Sequence, residues 1–225
     1  MRTIARLVIL SLAVSAFAAA AQKTHVVSFG KWMPVKLFVG PTEDKTVPMQ
    51  VRPLFVDTKL KEFTTGETHY ITDRLFVVRR TFRVNDSLPS DEKKLPKWMW
   101  QRGGWVMVDT ATGRVSQVTL PDFDPYYSDV AWYRDYAAYC GLSDDASKVY
   151  ADVVAIGRKK PLLHRQLASA TNGEAQDSEC STPQWDRQPP RVTFLPKNAA
   201  KFTFTLPDRS IDLAPANEDE SDKKD

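Results

Sequence analysis

The sequence predicts an all-β protein, and three observations carry that prediction. Short runs rich in β-branched and aromatic residues, many of them alternating apolar with polar, recur along the chain. Turn signals built from Gly, Asp, Asn and Pro separate them. No long segment keeps the apolar period of an amphipathic helix.

Taken in order, the first strands are expected at 35–39 (VKLFV) and 51–56 (VRPLFV), divided by the turn signal VGPTEDK. After FTTGE comes a strand at 75–84 (LFVVRRTFRV). Next are 105–108 (WVMV) and 114–120 (RVSQVTL), with DTATG as the turn between them. The segments 130–132 (VAW), 136–140 (YAAYC) and 149–155 (VYADVVA) follow, the last two divided by LSDDAS. Past AIGRKK, strands are expected at 192–195 and 202–206. A short helical turn is read in RQLASA, 165–170. Two polar stretches read as loops, 85–97 and 169–190, the second tied down by Cys180 and Trp185. Asn85-Asp86-Ser87 in the first fits a glycosylation sequon. The tail 214–225 is charged and poor in apolar residues, the composition of a disordered, solubilising segment.

Residues 1–21 read as a secretory signal peptide. Arg2 and Arg6 form a positive n-region, Leu7 onward is an apolar run, and Ala19 and Ala21 supply a small-x-small cleavage site. The run is too short for a stable membrane span, no Cys follows it to take a lipid anchor, and no other stretch approaches a span. The expected product is a single all-β domain over 22–213, secreted or periplasmic. Of the 31 Lys and Arg, Arg2 and Arg6 leave with the leader, so 29 basic residues face 28 acidic ones. That balance argues against a nucleic-acid partner. The two cysteines, Cys140 and Cys180, are expected to form one disulfide in an oxidising compartment, stabilising by roughly 3–4 kcal/mol on the chain-entropy model. The alternative is a buried free thiol at Cys140.

Similar units recur. PLFVDTKLKEFTTG (53–66) and WVMVDTATGRVSQVTLP (105–121) both place Val-Asp-Thr at the end of an apolar strand, and VYADVVAIGRKKPLLHR (149–165) is a looser copy. The steps Asp57 to Asp109 and Asp109 to Asp152 are 52 and 43 residues, in the range of propeller blades. The stretch VAWYRDYAAYCGLSDDASKVYADVVAIGRKKPLL resembles a blade of the periplasmic TolB-like β-propellers. Ala131-Trp132, Asp135, Ser143-Asp144-Asp145 and Gly157 occupy the family's strand-end and turn places. Its usual Ser-Pro-Asp-Gly turn is shortened to Tyr133-Arg134-Asp135, and the good match covers 105–165. The resemblance implies a small propeller-like array of antiparallel units with a binding face made by loops at one end of the sheets. An open curved sheet or a β-sandwich of the same hairpins is the alternative.

No Gly-x-Ser-x-Gly elbow, His-Glu-x-x-His, Cys-His pairing or phosphate-binding loop is present, so no catalytic residues are assigned. The loop PDFDPYYSD offers Asp122, Asp124 and Asp129 but matches no EF-hand spacing, and no set of His or Cys points to zinc. No metal or cofactor is expected. The candidate binding residues are Asp129, Arg134 and Asp135 at strand ends, and Trp98, Trp100 and Arg102 in KWMWQRGGW, an aromatic and cationic set suited to a carbohydrate or a protein hot spot. Arg79 and Arg83 share one face of their strand and Arg80 takes the other, while Arg158, Lys159 and Lys160 sit on a turn. The expected function is that of an exported, non-enzymatic interaction protein taking another protein or an envelope polymer. A polysaccharide-acting hydrolase or lyase is the alternative, and a structural assembly subunit a third.

Overall fold

A computed structural model of the chain describes residues 25–38, 46–85, 98–169, 180–197 and 200–207. The leader, the 86–97 part of the first polar loop and the charged tail lie outside the described residues. Every regular element among those described is a β-strand. They are β1 (Val27–Phe29), β2 (Met33–Phe38), β3 (Thr46–Val56), β4 (Lys59–Tyr70), β5 (Leu75–Asn85), β6 (Trp98–Asp109), β7 (Arg114–Val118), β8 (Ala131–Tyr133), β9 (Tyr136–Leu142), β10 (Lys148–Ala155), β11 (Leu163–Ser169), β12 (Cys180–Arg187), β13 (Pro190–Pro196) and β14 (Phe202–Thr205). The all-β class therefore holds. No helix among the described residues is long and apolar enough to cross a membrane.

The strands fall into three sheets. In the largest, β2 to β6 pair in succession, and β2 meets β6 in parallel at Leu37 and Trp100, so the five strands make a closed circuit of pairings. β1 adds to β3 and β7 to β6. One face carries a core of Leu54, Phe76, Val78, Val106 and Val108, with Phe29 and Val115 packed on it. Side chains alternate along a strand, so Val77, Arg79 and Thr81 of β5 take the opposite face. They are buried as well. Coverage on both sides explains why 75–78 reads as a continuous apolar run rather than a clean alternation.

The second sheet is an up-and-down set, β8 to β11 in spatial order. The third is β12-β13-β14. Their shared core includes Tyr136, Ala138, Cys140, Val149, Ala151 and Val153 from one sheet and Val192, Phe194 and Leu206 from the other side. The alternate residues of β9, Ala137 and Tyr139, pack with Val154 on Leu120, Phe123 and Trp132. β9 is thus a strand buried on both faces, and its alanines leave room for neighbours on each side. The Cys140–Cys180 disulfide joins the end of β9 to the start of β12. Trp185 of β12 stacks on Tyr133 at 5.3 Å and donates its indole N–H to the Ala131 carbonyl at 3.0 Å.

The structure corrects several expected elements. Residues 165–169, read as part of a helical turn, belong to β11, which pairs along β10 from Leu163 to Ser169. The segment from Cys180, read as loop, is β12. Its polar residues and Pro183 are tolerated because, among the described strands, it pairs with β13 alone, at the edge of its sheet. Most of β4, KLKEFTTGETHY, was hidden because its polar run is held by pairing to β3 and β5 and broken by register shifts. Trp98 to Arg102, ahead of the strand expected at 105–108, extend β6, with an irregularity at Gly103 and Gly104 between the Arg79–Trp105 and Thr81–Arg102 pairs.

The two Val-Asp-Thr units are hairpins within the same sheet, and their turns differ. Asp57 and Thr58 both adopt left-handed φ (51° and 65°) between β3 and β4. Asp109 instead accepts from the N–H of Ala111 at 2.8 Å and the hydroxyl of Thr112 at 2.9 Å, with Gly113 at φ 65°. Of the three related units, the last contributes to a separate four-stranded sheet.

Candidate functional site

The loop 121–130 leaves β7 and runs between the first two sheets. Asp124 sets its shape by accepting the N–H groups of Tyr126 (2.7 Å) and Tyr127 (2.9 Å). Ser128 donates its backbone N–H to the Asp124 carbonyl at 2.7 Å and its hydroxyl to Cys140 O at 2.7 Å. Arg79 reaches this loop from β5. Its guanidinium donates to Pro125 O at 2.6 Å and to Asp129 Oδ1 at 3.0 Å, with longer contacts of 3.4 Å to Ser128 O and Gly103 O. The Arg79 side chain is 8% exposed and that of Asp129 57%. Burial, then the charge of Arg102, pulls the Arg79 guanidinium below the usual arginine range, and Asp129 opposes that pull. Asp129 is accordingly a partner of a buried cation.

Arg134 and Asp135 form the β8–β9 turn, where Arg134 has a left-handed φ of 52°. The Arg134 carbonyl accepts from His69 Nε2 at 2.7 Å, and the His69 ring stacks on Trp132. Asp135 is buried, and its Oδ2 has no hydrogen-bond partner among the described residues. Burial pushes its carboxyl above the usual range, tempered by Arg158 and Arg134.

Trp98, Trp100 and Arg102 share β6, and cross-strand register sets Trp100 opposite Arg83 and Arg102 opposite Thr81. The Arg83 guanidinium lies 5.7 Å from the Trp98 ring and 5.5 Å from the Trp100 ring. Phe63 meets Trp100 edge-on at 5.2 Å, which fixes the inner indole. Trp98 is 56% exposed. The result is a cation held between two indoles, one anchored and one open to solvent. A second cation–aromatic set lies on the same sheet, with Arg52 over Phe29 at 3.8 Å and over Trp32 at 4.4 Å. Elsewhere a cavity of about 460 Å³ is lined by Met107, Val118, Val154 and the basic pair Arg158 and Lys159.

The constellation missed in the sequence is Asp122, Asp152 and His164, whose ligand-type atoms all lie within 4.8 Å of one another. Asp152 and His164 are directly opposite in the β10–β11 register. His164 Nδ1 is 2.8 Å from Asp152 Oδ1 and 3.7 Å from Asp122 Oδ2. Tyr150 stacks on the imidazole at 4.4 Å. Asp122 is brought in from its loop by the Leu142 N–H, which donates to its carbonyl at 2.7 Å. Asp152 is fully buried, and its Oδ2 has no hydrogen-bond partner among the described residues. Burial pushes its carboxyl up to about 6 despite the opposing hydrogen bond and charge of His164. Tyr139, opposite Asp152 on β9, is pushed up by burial and then by the Asp152 charge. The signal that could have found the pair was the hairpin through Gly157, since Asp152 and His164 are equidistant from residue 158.

No family model, curated protein or solved structure matches the chain.

Proposed function

We propose that the protein is an exported, non-enzymatic binding protein that takes a partner protein or an anionic envelope polymer on the β5–β6 face around Arg83, Trp98 and Trp100. The observation that carries this reading is the Arg83 guanidinium between two indole rings, with Trp98 more than half exposed. An indole offers a flat apolar face to a sugar ring or an apolar side chain, and the guanidinium supplies fork-shaped donors to a carboxylate or phosphate. The disulfide is compatible with an oxidising, exported location. The propeller-blade resemblance supports the same class of function, and the β8–β11 sheet is the four-stranded unit on which its later half falls. A polysaccharide-acting hydrolase or lyase would draw on Asp129 and Asp135. Asp129 is bound to Arg79, and Asp135 is closed off from solvent.

Tryptophan-emission titration with polyuronate oligosaccharides, a neutral oligosaccharide control and an affinity capture from envelope extract test the proposal. Saturable binding is expected, and Trp98→Ala should weaken it by at least about 10-fold. Absence of both polymer binding and a captured partner in the wild type refutes the reading, as does binding that Trp98→Ala and Arg83→Gln leave unchanged.

A further inference from the structure

We propose that Asp122, Asp152 and His164 form a binding site for a first-row divalent cation of the zinc type. Four observations point the same way. The donors are two carboxylates and one imidazole, a set that suits Zn²⁺ and its neighbours better than the all-oxygen environment preferred by Ca²⁺ or Mg²⁺. The His164 Nδ1 separations of 2.8 and 3.7 Å bracket the roughly 3.0–3.4 Å edges of a coordination polyhedron with bonds of about 2.1 Å.

The second carboxylate oxygen of Asp152 supplies the independent sign. It belongs to a fully buried side chain and has no hydrogen-bond partner among the described residues. A buried carboxylate oxygen left unpaired is costly, and a cation is one way to satisfy it. It points over Gly141 toward Asp122: a Cβ built on Gly141 would lie 2.6 Å from Asp152 Oδ2 and 3.0 Å from the Cβ and carbonyl of Asp122. Only the bare glycine leaves the two acids room to converge.

The third observation is access. A cavity of about 330 Å³ opens beside the cluster, lined by Asp122, Asp124 and Asp144 among others. Negative walls raise the local concentration of a cation at the entrance. The fourth is support around the ligands. Tyr150 stacks on the His164 ring, and the β10–β11 register holds Asp152 and His164 opposite each other. Two carboxylates neutralise a divalent ion, so the loaded site carries no net charge. His164 is 42% exposed, which leaves coordination positions on its side for water or a ligand. The site shares no residue with the Arg83–Trp98 face.

The test is calorimetric titration of the metal-stripped, full exported protein with ZnCl₂, MnCl₂ and CaCl₂, with melting temperature as a second readout. Zinc is expected to bind one per chain and raise the melting temperature, with calcium weaker. His164→Gln keeps a donor for Asp152 but loses the imidazole ligand, and Asp122→Asn loses a charge. Each should lower zinc affinity at least about 100-fold and abolish the thermal shift. His25→Gln and His69→Gln, which lie outside the cluster, should bind as the wild type does. Failure of all three cations to bind the wild type overturns the proposal, as does zinc binding that survives both His164→Gln and Asp122→Asn.

Discussion

Replacing Arg79 with Met tests whether the 121–130 loop is held to the large sheet by one buried cation. The substitution keeps an unbranched chain of similar length and removes the guanidinium. Two short charged hydrogen bonds are lost, to Pro125 O at 2.6 Å and Asp129 Oδ1 at 3.0 Å. Hydrogen bonds to charged groups contribute about 1.5–3 kcal/mol each, and the part-buried Pro125 carbonyl left without its donor adds to the loss. The guanidinium's own desolvation cost is relieved, which offsets part of it. The net destabilisation expected for Arg79→Met is about 2–4 kcal/mol. Asp129→Asn should cost under about 1 kcal/mol, because Asp129 is more than half exposed and its amide oxygen can still accept. Urea unfolding followed by circular dichroism and tryptophan emission measures both. Equal, small shifts for the two variants would refute the reasoning, because they would mean that an ordinary surface pair was being measured. So would a loss at Asp129→Asn as large as at Arg79→Met.

Two further outcomes are expected. Reducing the Cys140–Cys180 bridge, or replacing both cysteines with Ala, should destabilise by up to about 4 kcal/mol for its 40-residue separation, read as a lower urea midpoint; an unchanged midpoint in reductant would count against a structural role. The pKa of Asp135 is raised in the fold, so its contribution is fully present below the unfolded carboxylate value of about 3.9 and is lost as pH rises through the higher folded value. Asp135→Asn cannot ionise, so its stability relative to the wild type should increase as pH rises from about 4; a constant difference across that window would show that the carboxyl is not perturbed.

The strands most legible in the sequence were those that bury apolar residues in a pattern. YAAYC and VYADVVA became β9 and β10, because burial on both faces demands aromatic, small or β-branched side chains there, with Asp152 the one charged exception. β12 was not legible and β4 only at its start, where a second strand was expected after Val-Asp-Thr, since FTTGETHY and CSTPQWDR owe their extension to backbone pairing with neighbours, which leaves little mark on side-chain choice. The candidate site divides along the same line. The disulfide was readable because only two cysteines exist to pair. Trp98 and Trp100 were readable as a cluster, but their cation is Arg83 from another strand, which only cross-strand register brings between them. Asp129 was legible as a charged loop residue, whereas its engagement by Arg79, 50 residues away, belongs to the tertiary packing. Asp122, Asp152 and His164 come from a loop and two strands, so no local motif announces them.

Arg79 and Leu142 grip the same short loop from opposite sides. Arg79 takes its Pro125 and Asp129 end, and the Leu142 N–H takes Asp122. The nine residues from Pro121 to Asp129 therefore behave as a strut between two sheets, clamped at each end, rather than as a surface flap. Asp122 inherits its position from that strut. Leu142 ties it to the sheet that carries His164, while Arg79 on β5 holds the far end of the same strut. The carboxylate on the loop and the aromatic face of β5–β6 are thus two stations on one mechanical frame, with the strand that bears Arg79 and Arg83 as their common beam.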